Sequence, residues 1–167
     1  LRAIIAIHDT TLGPACGGTR IWPYTAEEDA VRDALRLSRA MTYKAAAADL
    51  PLGGGKAVII ADSHTQKTEA LIRAYGSFVD TLGGRYLTTT DVGSTGHDLE
   101  YIRQETAHVV GLPTTAGGSG DTSIMTGLGI YMGMKACARE VWGSDSLTGK
   151  KVALQGFGKV AVYATHH

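Results

Sequence analysis

Alternation is the feature that most constrains this chain: short apolar runs of strand length keep giving way to longer segments whose apolar residues recur at helical spacing. Arg2 to His8 (RAIIAIH) reads as a buried strand, followed by a turn-rich stretch from Thr10 to Pro14. Thr25 and Glu28 have the spacing of a capping box, and Val31, Ala34, Leu35, Ser38 and Met41 then recur on one face, so a helix is expected from about Ala26 into the early forties. A Gly-rich turn leads into a second strand, Lys56 to Ala61. Thr68 to Leu82 predicts a second amphipathic helix, stopped by Gly83-Gly84. A third strand, Arg85 to Thr90, ends at Asp91; a short helix over His97 to Glu105 and a strand around His108 to Val110 follow. Gly117 to Asp121 reads as a linker, Thr122 or Ser123 as the cap of a helix running to about Trp142, and Lys151 to Gln155 as a last strand. Strands and helices that alternate in this way predict an α/β fold.

Composition narrows the function classes. Sixteen basic residues balance sixteen acidic ones, so no net field draws in nucleic acid, and no Lys/Arg block interleaves with aromatics. The apolar runs, such as Ala57 to Ala61, fall far short of the roughly 20 residues of a membrane span, and no signal-peptide pattern opens the chain. Cys16 and Cys137 lie far apart without a CxxC pair, and the six histidines show no ligand spacing, so neither a disulfide framework nor a metal is expected. A cytoplasmic enzyme is the expectation, with further sequence before Leu1.

Four motifs carry chemistry. Gly156-x-Gly158-x-x-Ala161 follows an apolar strand-like run, the context in which glycines allow a tight turn and close approach of the main chain to a pyrophosphate; a purely structural turn is the alternative. Gly53-Gly-Gly-Lys56 leads into a strand and presents one amine beside a crowded main chain, although the spacing is not that of a P-loop. Lys44 ends the first long helix, where its charge would either complement the helix dipole or meet a ligand. Asp91 lies just past a strand end, where α/β proteins bind ligands, but it could equally cap the next helix.

Taken together, Gly13-Pro-Ala-Cys-Gly-Gly-Thr-Arg20, Met41-Thr-Tyr-Lys44, Leu52-Gly-Gly-Gly-Lys56, Thr90-Asp-Val-Gly93, Thr126-Gly-Leu-Gly129 and the final glycine turn resemble the glutamate/leucine/phenylalanine/valine family of amino-acid dehydrogenases. The resemblance covers essentially the whole chain and is strongest to the leucine-directed branch, through His8 to Pro14, Trp22-Pro-Tyr24 and Tyr131 to Ala136. It implies an N-terminal α/β substrate-binding catalytic domain over residues 1–121. Residues 122–167 would then be a linker helix and the truncated start of a Rossmann dinucleotide-binding domain. The implied reaction is NAD-dependent oxidative deamination of a branched-chain L-amino acid, leucine foremost, to its 2-oxo acid and ammonium, by a homo-oligomer. An aromatic amino acid (phenylalanine or tryptophan) is the alternative substrate, and a non-catalytic binding or oligomerisation module the alternative class.

By the same resemblance Lys56 would be the general base and Asp91 a proton shuttle. Lys44 would bind the substrate carboxylate, Gly17 and Gly18 would crowd the substrate, and Thr126 would face the nicotinamide amide beside the Gly156, Gly158 and Ala161 turn. Cys16 stands where the family's glutamate-directed members carry the lysine that holds a second carboxylate. A thiol leaves such a carboxylate unpaired, which disfavours glutamate.

Overall fold

The computed structural model describes all residues from Leu1 to His167. It is a mixed α/β structure in two compact units, Leu1–Gly120 and Asp121–His167. The first holds a small mixed sheet of β1 (Ala3–Asp9), β2 (Ala15–Trp22), β3 (Gly53–Ile60) and β4 (Tyr86–Thr90), in the order β1-β3-β2-β4. β3 and β4 run parallel to β2, whereas β1 pairs antiparallel with β3. Helices α1 (Glu27–Ala47), α2 (Glu69–Asp80) and α3 (Gly96–Glu105) complete the unit.

The two faces of the sheet are closed to different extents. On one, Ile21, Ala57, Ile59 and Tyr86 pack against Ile72, Tyr75 and Val79 of α2 and Leu99 and Ile102 of α3. On the other, Ala6 and Val58 pack against Ala30 and Ala34 of α1. Small residues let α1 sit close over β1 and β3, but it barely reaches β2, so the β2–β4 half of this face has no helix over it within the unit.

Glycine explains two departures from the sequence reading. Gly53 to Gly55, expected as a turn, are the buried start of β3. A side chain at Gly54 would collide with Thr42 and the Ser38 carbonyl of α1, and one at Gly55 would strike the Tyr86 ring. β2 was not expected at all, and it is the strand that bonds to both β3 and β4. β1 is an edge strand and only half-buried, rather than a buried one.

Other boundaries differ for local reasons. Residue 26 caps α1 without a side-chain bond, so the Thr25–Glu28 box does not form. Thr68 and Thr95 do cap α2 and α3, the latter through a reciprocal box with Asp98. Residues 108–110 make one isolated bridge, Thr88 to Val109, rather than a strand.

The second unit contains α4 (Thr122–Trp142) and α5 (Lys159–Ala164). Asp121, not Thr122 or Ser123, caps α4 by accepting from the Ser123 amide at 2.9 Å. Gly143 ends it in the left-handed conformation (φ 72°). α4 and α5 meet at Gly127, where a side chain would lie 2.7 Å from Tyr163 Cβ. The expected strand over residues 151–155 is not formed: no segment pairs with it, and Val152 and Leu154 are exposed. A strand exists only through its neighbours' hydrogen bonds.

Candidate active site

The charged side chains gather on the α1 side of the sheet, where the helix stops short of β2 and β4. Along β2, Thr19 and Ile21 point into the α2/α3 side, so Arg20 between them faces the other way. Along β3, Ala57 and Ile59 do the same, which puts Lys56 on the face with Arg20. Asp91 follows the last residue of β4. Its Oδ2 lies 2.9 Å from Lys56 Nζ and 2.9 Å from Arg20 Nε, while no hydrogen bond or ion pair engages Oδ1.

The turn that carries Asp91 is fixed from several sides. The Asp91 amide donates to Ser94 Oγ at 2.8 Å, and Ser94 Oγ donates to the Thr19 carbonyl at 2.7 Å. The Ile21 amide donates to the Val92 carbonyl at 2.8 Å. Gly93 is left-handed (φ 81°) and packed on Ile21, with its carbonyl accepting from Lys67 Nζ at 3.2 Å. Thr95, not Asp91, caps α3, which leaves the Asp91 carboxylate free of a capping role.

The electrostatics of the pair follow from burial. The Lys56 side chain is only 7% exposed. Desolvation pushes its pKa below the usual lysine value, with Arg20 and Lys44 helping as like charges; Asp91 opposes the shift and does not reverse it. Burial works to raise Asp91, but the Lys56 and Arg20 cations outweigh it and hold the carboxyl below its usual range. Such an amine gives up its proton more readily than an ordinary lysine, beside a carboxylate that stays ionised.

Lys44 sits in the last turn of α1, exposed and without an ion pair, close enough for its charge to act on Lys56. The dipole reading and the ligand reading of Lys44 are therefore compatible. Gly17 and Gly18 border the site from β2. A side chain at Gly17 would strike the Gly55 carbonyl, and one at Gly18 would strike the Thr90 carbonyl and lie 2.9 Å from Asp91 Cβ. Their immediate reason for being glycine is close packing of the main chain that holds Lys56 and Asp91.

In the second unit, Thr126 is exposed on α4 and donates to the Thr122 carbonyl at 2.8 Å, which leaves its oxygen free to accept. Gly156 is left-handed (φ 84°), and neither it nor Gly158 has any atom packed where a side chain would be. Ala161 lies in α5. The turn thus offers open main chain of the kind a dinucleotide phosphate approaches, and the residues fit that group to this extent. Structure adds three groups that the sequence reading did not single out, Arg20, Asp33 and Tyr24; Arg20 is the one charged residue of β2, a strand that its glycines hid from the sequence reading.

An ionised carboxylate with one free oxygen, a desolvated amine beside it and a second, unpaired amine are groups with the chemistry to move a proton and to attract an anion. Comparison with known proteins narrows that chemistry. Residues 1–108 match the model of the Glu/Leu/Phe/Val dehydrogenase dimerisation domain, and residues 117–167 match that of Glutamate/Leucine/Phenylalanine/Valine dehydrogenase. The chain belongs to the Glu/Leu/Phe/Val dehydrogenase family. It is 58% identical over all 167 residues to a leucine dehydrogenase of Geobacillus stearothermophilus, covering 46% of that protein. Against a phenylalanine dehydrogenase of Lysinibacillus sphaericus it is 55% identical over 160 residues, 96% of this chain and 42% of that one. The crystal structure of L-tryptophan dehydrogenase from Nostoc punctiforme superposes with a TM-score of 0.70 at 53% identity, covering 98% of this chain and 46% of the other. The chain therefore spans about half the length of the relatives it matches.

Proposed function

We propose that the chain is the substrate-binding part, with the beginning of the dinucleotide-binding part, of an NAD-dependent dehydrogenase. It would convert a branched-chain L-amino acid, leucine foremost, and water to the 2-oxo acid and ammonium. The observation that carries this reading is the desolvated Lys56 amine of β3 paired at 2.9 Å with Asp91, at the border of the half of the sheet that α1 leaves uncovered. Lys44, unpaired and nearby, takes the substrate carboxylate. Gly17 and Gly18 keep the main chain flat beside it, so the α-carbon can approach the pair.

Bound NAD supplies the two-electron oxidant that turns the amine into an imine. Lys56, neutral more readily than an ordinary lysine, removes a proton from the water that attacks the imine carbon. Asp91, through its free Oδ1, first takes a proton from the substrate ammonium and later returns it to the nitrogen of the hydrated imine, which departs as ammonia as the carbon–nitrogen bond breaks. Thr126 would hold the nicotinamide carboxamide, and the Gly156, Gly158 and Ala161 turn would hold the pyrophosphate.

A second reading, an aromatic L-amino acid, is favoured by the near-equal identity to the leucine and phenylalanine relatives, 58% and 55%. The family description of residues 1–108 as a dimerisation domain supports a homo-oligomer. Both cysteines are free thiols, in keeping with a cytoplasmic location. Formation of NADH by the full-length protein with leucine, valine, phenylalanine and glutamate tests the proposal. Leucine should give the highest kcat/KM and glutamate none. Preference for phenylalanine would select the second reading, and absence of turnover with all four would overturn both.

A further inference from the structure

Asp91 does not stand alone behind Lys56. Arg20 reaches it with Nε at 2.9 Å and extends its other arm, through Nη1, to Asp33 Oδ2 of α1 at 2.8 Å. The Tyr24 hydroxyl donates to that same Asp33 oxygen at 2.7 Å. Four charges of alternating sign thus run Lys56–Asp91–Arg20–Asp33 across β3, the end of β4, β2 and α1, with Lys44 as a fifth, unpaired cation. We propose that Arg20, Asp33 and Tyr24 form a positioning relay that locks the Asp91 carboxylate with Oδ1 turned free and sets the net charge felt by Lys56. The relay rests on the reading of Lys56 and Asp91 as the proton-transfer pair.

The geometry supports this in three ways. The planar guanidinium is engaged by two carboxylates at once, so Asp33 fixes the direction from which Arg20 holds Asp91; a lysine cannot span both. Arg20, Asp91 and Asp33 are mostly buried, with side-chain exposures of 24%, 24% and 31%, so their charges are only partly screened. Tyr24 is held neutral, its pKa pushed up to about 12 by burial and by Asp33, so it remains a proton donor to Asp33 throughout the working pH range.

A purely structural clamp and a charge-setting relay differ in what they predict. Arg20→Gln removes a cation near both Lys56 and Asp91, so the pKa of each rises. Asp33→Asn leaves Arg20 uncompensated, so both fall. The test is competitive labelling of the full-length protein with acetic anhydride across a pH series, with acetylation of Lys56 read by mass spectrometry. Its labelling midpoint should move up by about one unit in Arg20→Gln and down by about one unit in Asp33→Asn. Shifts of the same sign, or none, would overturn the charge-setting role; if Arg20→Gln fails to fold, the direction in Asp33→Asn decides alone. Arg20→Lys keeps the charge without the fork and should lose about tenfold or more in kcat. Wild-type kcat in that variant would overturn the positioning role. Labelling needs no turnover, so opposite shifts in a protein inactive on every amino acid would uphold the relay while removing the functional reading.

Discussion

Neighbouring residues of one strand show how differently the two faces of the sheet are used. Thr19 points to the α2/α3 side, where its hydroxyl lies 2.7 Å from Tyr75 Oη and 2.6 Å from Thr88 Oγ1. Tyr86 donates to the Gly17 carbonyl at 2.6 Å just beside them. Everything there is neutral, fully buried and satisfied, and burial pushes both tyrosine pKa values up. Arg20 points the other way, into charges that stay partly wet and leave one carboxylate oxygen without a partner. The closed face uses polarity to fix register inside a core. The open face holds charge ready for a substrate. Substitutions on the first should therefore cost stability and on the second activity.

The largest effect that would sharpen this contrast is Asp91→Asn. It keeps the shape of the side chain and removes the proton carrier, so kcat should fall about 10²–10⁴-fold, and the acid limb of the residual pH–rate profile, set by Lys56, should move to lower pH because Asp91 no longer holds the lysine pKa up. Because the Asp91 pKa is depressed in the folded protein, its ionised form stabilises the wild type above about pH 3.9, a contribution lost as pH falls through the folded value. The asparagine variant should therefore lose stability at neutral pH and differ less from wild type in acid. On the closed face Ile72→Ala removes a buried side chain beneath α2 and should cost about 2–5 kcal/mol in urea unfolding of the full-length protein, with KM unchanged in whatever remains folded. Lys44→Ala should raise KM about ten- to a hundredfold with a smaller change in kcat, since a carboxylate contact is made before and during the reaction. The smallest effect belongs to Tyr75→Phe, about 1 kcal/mol of stability at unaltered kcat, because Thr19 and Thr88 still satisfy each other. A tenfold loss of kcat in Tyr75→Phe would break the division between the faces.

Much of the framework was legible from periodicity. The helices over residues 69–80, 96–105 and 122–142 fall close to where the sequence reading puts them, while the first runs on to Ala47, past its expected end in the early forties. Lys56 and Asp91 were recognisable by motif, and they meet at 2.9 Å. The glycine strands were not legible. Gly17, Gly18 and Gly53 to Gly55 argue against strand by propensity, and only the close approach of Thr42, Tyr86 and the neighbouring main chain requires them there. With β2 unseen, the alternation that turns Arg20 toward Asp91 had no basis, and its link to Asp33, thirteen residues on, is a tertiary contact with no sequence signature. Residues 151–155 fail in the opposite sense: their apolar pattern suits a strand, but a pattern cannot supply the neighbour that a ladder needs.

Steady-state kinetics of Lys56→Ala in the full-length protein, with leucine and NAD, test the role of the open face most directly. Loss of the desolvated amine should lower kcat by about 10²–10⁴-fold, while the unfolding transition stays cooperative because the α2/α3 core is untouched. A variant that keeps half or more of the wild-type kcat would contradict the assignment of Lys56 as the base.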